Sequence, residues 1–438
     1  MNKRIKILKG FQDFLPKKMI LKNYFISKIR DVYERFGFLP QDTPCLEYAD
    51  LLLGKYGKDG ERLIYEFKDK GNRQVAMRYD LTVPLERVVR MYEKDIGFPY
   101  RRYQIGKVWR ADKPGRGRFR EFLQVDADII GDDSILSDAE TIVLVINTMD
   151  SLGLKTMLRI NSREILDVLV NVCGVEERGV ELMRVIDKFE KVGMKGVVKE
   201  LEELNFSSEV VEKVKDYLSI KGSNEKILSS LKEFLKEGEG FDKALDRLIK
   251  TVELINKAGD YERNFKIDPT IARGLDYYTG LIFETSLLKD PSVGSICSGG
   301  RYDRLVKLSS GDFSPAVGVS IGLDRLLFVL EETDSLPEIG KTTTQFLIVN
   351  FGKKYEADYL NLANELRARG FSVEIFYQDE TLSEQLSIAE SKEIPFVLIT
   401  GPEEMKNNMV TVRNMKERSQ EKVPRSQIIS KLKEVIKT

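Results

Sequence analysis

The sequence predicts an α+β protein in which an antiparallel-sheet domain is interrupted by a helical insertion and followed by a C-terminal α/β domain. Three observations carry this. Up to residue 161, β-rich segments follow one another with few helices between them. Between residues 162 and 256 the pattern turns to short helical stretches rich in Lys, Glu, Leu and Val. Beyond residue 345, strands and helices alternate.

Along the chain, Leu21, Phe25, Ile29, Val32 and Phe36 recur at helical spacing, and Gly37 follows as a C-cap, so the first long element is an amphipathic helix. An extended stretch through Pro40 and Pro44 comes next. Strand-like segments stand at 64–67, 75–79, 103–111 and 119–130, with a helix over 139–149. After the helical stretch, exemplified by 210–218 and 227–235, strand character returns at 281–287 and 316–321, and a helix begins near Leu323. A charged, threonine-rich run, 331–344, reads as a linker. Strands at 346–349, 373–377, 396–400 and 410–412 then alternate with helices at 357–369, 382–392 and 427–436, which implies parallel crossovers in a separate domain.

At 438 residues, 42% hydrophobic and 32% charged, the chain has the composition of a globular protein with two or three domains. No apolar run approaches the roughly 18 residues of a membrane span. The N-terminus offers only Ile5, Ile7 and Leu8 where a signal peptide needs a continuous apolar core, so no membrane association and a cytoplasmic location are expected. Cys45, Cys173 and Cys297 lie far apart without CxxC spacing, which supports neither a zinc site nor a disulfide framework; all three read as buried thiols. Lys plus Arg equals Asp plus Glu at 70 each, so any nucleic-acid contact must come from local clusters. The chain has 0 histidines, which removes the commonest general base, the Ser-His and Cys-His nucleophile arrangements and His-ligated metals.

There is no GxxxxGK[ST] and no GxGxxG after a strand, so phosphate must be held by side chains. The densest candidate runs from residue 101 to 120, where Arg101, Arg102, Lys107, Arg110, Lys113, Arg116, Arg118 and Arg120 face only one acid before Glu121, Asp112. Its middle, Lys113-Pro114-Gly115-Arg116-Gly117-Arg118, holds turn formers between two strand-like runs and reads as a hairpin with arginines at base and tip. Guanidinium groups bind phosphate oxygens bidentately. On charge alone the cluster is equally a solvated basic loop. Two further clusters are Arg273-Gly274-Leu275-Asp276-Tyr277-Tyr278, which on residue types alone could be a strand edge, and Cys297-Ser298-Gly299-Gly300-Arg301-Tyr302-Asp303, whose glycines permit close backbone approach.

Together these segments resemble a known family. Val108-Trp109-Arg110-Ala111-Asp112-Lys113-Pro114 through Phe119-Arg120-Glu121-Phe122-Leu123-Gln124 is similar to motif 2 of class II aminoacyl-tRNA synthetases, and residues 318–325 resemble motif 3. Lys9-Gly10-Phe11-Gln12-Asp13-Phe14-Leu15-Pro16, Arg78-Tyr79-Asp80-Leu81-Thr82 and the Arg273 to Tyr278 run resemble histidyl-tRNA synthetases, in wording closer to the eukaryotic-like branch. The resemblance covers nearly the whole chain in order. It implies a class II catalytic domain in two parts, 1–161 and 257–332, around a helical insertion at 162–256, with an anticodon-binding domain at 345–438. It also implies a homodimer joined through the first helix and the stretch to Pro44, with ATP, Mg2+, L-histidine and tRNA(His) as cofactors and partners.

By position, the resemblance implies that Arg110 grips the α-phosphate and the attacking carboxylate, with Asp112 and Arg118 serving ATP, Phe122 stacking on adenine and Arg325 covering its other face and the γ-phosphate. Asp80 and Thr82 would hold the amino group of histidine, and Gln124, Asp128, Tyr277 and Tyr278 would line its side chain. Arg273 would lie against the α-phosphate. Leu123 departs from the histidine or aromatic residue frequent in the family, which bears on packing beside the hairpin. A paralogue on the same fold, the regulatory subunit of ATP phosphoribosyltransferase, is the competing reading; Arg273 and residues 346–438 favour the synthetase.

Overall fold

The computed structural model of the protein describes residues 5–272, 277–291, 294–378 and 380–437. Its contacts form two units: one ends at Gln12, resumes at Phe25 and runs to Leu336, and the other joins Asp13–Tyr24 to the chain from Pro337 onward.

The first helix, Pro16–Arg35, starts earlier than its apolar repeat, on a proline whose missing N–H costs nothing in a first turn. It buries Phe25, Ile29, Val32 and Tyr33, and Gly37 follows at φ +78°. In the first unit the strands are β1 (Leu39–Pro40), β2 (Leu46–Tyr48), β3 (Glu66–Lys68), β4 (Gln74–Met77), β5 (Tyr100–Trp109), β6 (Glu121–Ile130), β7 (Thr156–Ser162), β8 (Phe265–Ile267), β9 (Leu281–Leu287), β10 (Cys297–Arg301) and β11 (Ala316–Gly322). Among the described residues they form an eight-stranded sheet, β1-β5-β6-β11-β10-β9-β7-β8, and a three-stranded one, β2-β4-β3. Only β1 with β5 and β7 with β8 run parallel in the large sheet. The antiparallel core is that of the α+β fold the sequence predicts.

The β5–β6 pair is in register from Tyr100↔Ile130 to Trp109↔Glu121, so residues 110–120 make the connecting loop. Gly117 sits at φ +61° there, and a methyl group on it would also meet the Phe328 ring at 2.9 Å. The strands are offset from their predicted bounds, beginning at Tyr100 and ending at Trp109 in the first case. Helices Arg163–Cys173, Gly179–Asp187, Phe189–Glu203, Ser208–Leu218, Asn224–Leu235 and Phe241–Ala258 lie between β7 and β8. Because those two strands pair at Leu158↔Phe265, the helical stretch leaves the sheet and returns beside its own point of departure.

Two expectations fail. Cys45 is exposed, while Cys173 and Cys297 are buried; Cys45 lies just ahead of β2, an outer strand of the small sheet, and its carbonyl accepts from the Arg78 N–H. Several short elements went unread, among them β7, β8, β10 and helix Thr82–Tyr92, which carries Pro84 in its first turn.

In the second unit, β12 (Phe346–Ile348), β13 (Val373–Ile375), β14 (Phe396–Ile399), β15 (Met409–Asn414) and β16 (Gln420–Pro424) form the sheet β13-β12-β14-β15-β16. Phe346 and Ile348 pack on one core and Leu347 and Val349 on another, so a continuous apolar run is buried on both faces. The first three strands are parallel, as alternation with helices predicts, but β15 and β16 are antiparallel. Their link is a tight turn closed by Asn414 N–H to Ser419 O, too short for a crossover.

In β11, a Cβ on Gly318 would stand 1.9 Å from Asp128 Oδ1 on the paired strand. We predict that Gly318→Ala destabilises the protein by about 1–3 kcal/mol through overpacking, read from denaturant unfolding. An unchanged midpoint would show that the Asp128 side chain moves aside freely.

Candidate active site

A cavity of about 450 Å³ opens over the face of the large sheet. Its walls include Asp80, Thr82, Arg110, Asp112, Arg118, Phe122, Gln124, Asp128, Tyr277, Tyr278 and Arg325, so the side chains singled out from the sequence converge from the segment before helix Thr82–Tyr92, the β5–β6 loop, β6, the approach to β9 and the start of helix Leu323–Glu332. Arg273, with Gly274, Leu275 and Asp276, lies outside the described residues.

One end of the cavity is cationic. Arg110 donates from Nε to the Tyr79 carbonyl at 3.1 Å, and its guanidinium stands 4.3 Å over the Tyr79 ring and 5.3 Å from the Phe122 ring. The predicted basic cluster divides. Arg110 and Arg118 line the cavity, whereas Arg101 pairs with Glu140, Lys107 with Glu121 and Arg116 with Glu332, each at 2.7 Å. Arg120 bonds the Asp112 carbonyl at 3.0 Å and so braces the loop. Leu123 is buried, and its N–H donates to Asp324 Oδ2 at 2.6 Å, which ties β6 to helix Leu323–Glu332 immediately before Arg325 in the wall.

The rest of the wall is rich in carboxyl groups. Asp80 Oδ1 accepts the backbone N–H groups of Thr82 at 3.1 Å and Val83 at 3.0 Å, capping the helix that begins there. On β6, the alternation of a strand sends Val125, Ala127 and Ile129 to one face and Gln124, Asp126 and Asp128 to the other, where the cavity is. Asp128 is buried against fully buried Arg102, with Oδ2 2.7 Å from Nη2, and its Oδ1 accepts the Tyr302 hydroxyl. Tyr277 and Tyr278 stand with ring centroids 4.4 Å apart, and Tyr277 meets Tyr302 edge-on at 6.5 Å.

Sequence reasoning gave no substrate role to Asp126, Tyr302 or Ser320, which line this wall, and placed Arg102 among the phosphate cations, where it is instead a buried partner of Asp128 behind the wall. The signal for Asp126 was present: it shares the two-residue repeat of Gln124 and Asp128. Arg102 and Tyr302 were picked out only as members of clusters, and their common partner Asp128 was not legible, because it depends on pairings across β5–β6 and β10–β11. Arg301, beside Tyr302, faces elsewhere and is consumed by Asp138 at 2.8 Å and Asp303 at 3.1 Å.

Burial raises the carboxyl of Asp126 to about 7, opposed by Arg102 and the Ser320 hydroxyl and reinforced by Asp128 and Asp80. Burial also raises Asp128 and Asp80, and it pushes Tyr277 up to about 12. For Asp126 the folded value lies above the unfolded one of roughly 3.9, so its contribution to stability is complete below about pH 4 and is lost as the pH rises through about 7. We predict that Asp126→Asn gains stability relative to the wild type as pH is raised from about 5 to about 8, by on the order of 1–4 kcal/mol in urea unfolding. A difference independent of pH would mean that the carboxyl is ionised throughout this range.

With this geometry in hand, comparisons with known proteins are informative. A family model described as histidyl-tRNA synthetase matches residues 10–326, and one described as an anticodon binding domain matches residues 345–435. A histidine–tRNA ligase of Clostridium tetani is 40% identical over 432 residues, covering 98% of both chains. The crystal structure of histidyl-tRNA synthetase from Nostoc sp. PCC 7120 superposes with a TM-score of 0.88 at 30% identity, covering 98% of this chain and 99% of that one. An ATP phosphoribosyltransferase regulatory subunit/histidyl-tRNA synthetase from Bacillus halodurans shares the fold at a TM-score of 0.73 and 23% identity, over 89% of this chain and 97% of that one. The match of a family model over most of its length, with a relative of 40% identity spanning nearly all of it, means that the chain belongs to the histidyl-tRNA synthetase family.

Proposed function

We propose that the chain is a histidine–tRNA ligase, which activates L-histidine with ATP to histidyl-adenylate and pyrophosphate and then transfers histidine to the 3′ end of tRNA(His). The observation that carries this is the lining of one cavity, which brings Arg110, Arg118 and Arg325 together with buried carboxyl and tyrosine groups. An anionic polyphosphate and a cationic amine bearing an imidazole would be held head to head there.

The attacking group, the histidine carboxylate, is already anionic at neutral pH, and the leaving group is pyrophosphate, so activation needs no protein base. Arg110, held between Tyr79 and Phe122, would draw the carboxylate to the α-phosphorus, where a new C–O–P bond forms as the bond to pyrophosphate breaks. Arg118 and Asp112 would serve the outer part of ATP, and Phe122 and Arg325 the adenine. Asp80, with Thr82, suits the amino group; Gln124, Asp128, Tyr277 and Tyr278 suit the side chain. Arg273 is assigned to the α-phosphate on the sequence resemblance alone. Among the described residues no group of three His, Cys, Asp or Glu side chains could hold a metal ion. Mg2+ is therefore assigned to the phosphates of ATP itself, and no step here runs through it.

Finer features follow the same resemblance. The class II assignment is supported by the antiparallel sheet, and the eukaryotic-like placement by motif wording. Homodimerisation through the first helix and the stretch to Pro44 is supported by exposed Leu39. No helix of the described residues is long and apolar enough to cross a membrane; the cytoplasm is proposed as the place where tRNA charging is needed.

Pyrophosphate exchange run over all twenty amino acids tests the reading, and histidine alone should support it. Absence of exchange, together with stimulation of an ATP phosphoribosyltransferase, would favour the regulatory-subunit reading. We further predict that Arg273→Ala slows adenylate formation roughly a hundred- to a thousandfold in single-turnover assays without loss of thermal stability. Lysine should restore only part of the rate, since a point charge lacks the planar two-donor fork. Activity within a few-fold of wild type in the alanine variant would remove Arg273 from the reaction.

A further inference from the structure

We infer that Arg247, on the helix that ends the insertion, is a positioning residue for the Tyr277–Tyr278 part of the cavity wall, acting through Asp138, Arg301 and Asp303; the inference rests on the ligase reading above. Arg247 itself lies outside the cavity lining. What it holds is a chain of hydrogen bonds that ends beside the tyrosines.

Helix Phe241–Ala258 packs on helix Ile135–Ser151 and brings Arg247 to Asp138. Arg247 Nε and Nη2 donate to Asp138 Oδ2 at 3.1 and 2.6 Å, and Nη2 also donates to the Asp133 carbonyl at 3.0 Å. Asp138 is 0% exposed, and its other oxygen, Oδ1, accepts from Arg301 Nε at 2.8 Å. Arg301 donates from Nη1 to Asp303 Oδ1 at 3.1 Å, and Asp303 Oδ2 accepts the Thr279 hydroxyl at 2.9 Å. Thr279 follows Tyr278 directly, and its N–H donates to the Arg301 carbonyl at 2.8 Å. At the start of the insertion, the N–H of Arg163 donates to the Gly280 carbonyl at 2.7 Å. The insertion therefore grips residues 279 and 280 from both of its ends, once directly and once through three side chains.

Docking the helix does not require the charge of Arg247, because Leu245, Leu248, Val252 and Ile255 on the same helix are already buried. The charge makes sense through what Asp138 does with its two oxygens. Asp138 is divided between two arginines and Arg301 between two carboxylates, so each pairing limits the next. Without Arg247, one desolvated oxygen of Asp138 loses its cation and draws Arg301 toward it, at the expense of Asp303. The Asp132 carbonyl at 3.0 Å and the Ser137 hydroxyl at 2.9 Å also hold the Arg301 guanidinium, so the response is a small rotation. That rotation reaches the wall because the Tyr278 ring packs closely on β10, where a methyl group on Gly300 would stand 3.1 Å from it.

The test compares the full chain as wild type, Arg247→Met, Thr279→Val and the double variant. Histidine Kd is read by titration calorimetry, and KM for histidine and for ATP by pyrophosphate exchange. Methionine keeps an aliphatic stem and removes the charge, while valine keeps the shape of threonine and removes the hydroxyl. Each single variant should weaken histidine by about 3- to 15-fold, the size of one ordinary hydrogen bond, with KM for ATP within about twofold. The double variant should be about as weak as the weaker-binding single, since both cut one chain, whereas independent effects would multiply. Arg247→Lys should recover part of the affinity, because an ammonium can meet Asp138 but lacks the planar fork. Histidine Kd within about twofold of wild type in either single variant would overturn the inference, as would an equal rise in KM for ATP or multiplied effects in the double variant. A lower melting temperature with unchanged histidine binding would reduce the chain to a fastening of the fold and overturn it as well. If Arg247→Met does not fold, Thr279→Val decides alone, since it disturbs no charge. If the wild type binds histidine but shows no exchange, the ligase reading fails while the Kd values still judge the role of Arg247.

Discussion

The ion pair between Arg102 and Asp128 is the constraint on which the centre of the first unit is built. The two residues face each other in register across β5 and β6, and Arg102 is 0% exposed. From the same Nη2 that meets Asp128, Arg102 donates to the Leu81 carbonyl at 3.1 Å, just ahead of the helix that Asp80 caps. One guanidinium thereby connects the sheet to the segment carrying Asp80 and Thr82. Taking both charges out of water costs several kcal/mol per ion, and well-packed apolar residues would commonly hold two strands as firmly. The pair makes physical sense as a way to place charge. With it, a second carboxyl can stand two residues away on the same face; without it, two buried carboxylates would be left with no cation between the strands.

The same pair shows where sequence reasoning stops. Elements with a long apolar repeat were legible, such as the first helix and the β12 run Phe346-Leu347-Ile348-Val349, because their periodicity is set by the core they bury. Strands β8 and β10 were not, because each is a few residues long and is held by neighbours far away in the chain, and β7 was missed although it is as long as β9. The exposure of Cys45 was missed because burial is a property of which strand lies at an edge, and edge order follows from topology.

Within the site, residue identities carried Arg110, Phe122, Asp80 and the tyrosines to one cavity, since the motif wording fixes position along each element. The wording did not distinguish the eight cations of the 101–120 stretch from one another. Glu140, Glu121 and Glu332 remove Arg101, Lys107 and Arg116 from service by pairing with them, and two of these partners are distant in sequence. What remains facing the cavity is a pair, Arg110 and Arg118, and not a basic field.

The absence of histidine from the chain then acquires a chemical sense at the level of the pocket. A wall that must tell imidazole from other rings needs groups that complement it, a donor and an acceptor, and these are supplied by tyrosine hydroxyls and carboxylates. Burial pushes the Tyr277 hydroxyl up to about 12, so it stays protonated and able to donate at neutral pH. Burial pushes Asp126 up to about 7 and raises Asp128 as well, so an N–H donor arriving at this wall favours the charged form of either carboxyl. Selectivity would then arise because a ring without that donor leaves a desolvated carboxyl unpaired, a penalty that falls on the wrong substrate alone.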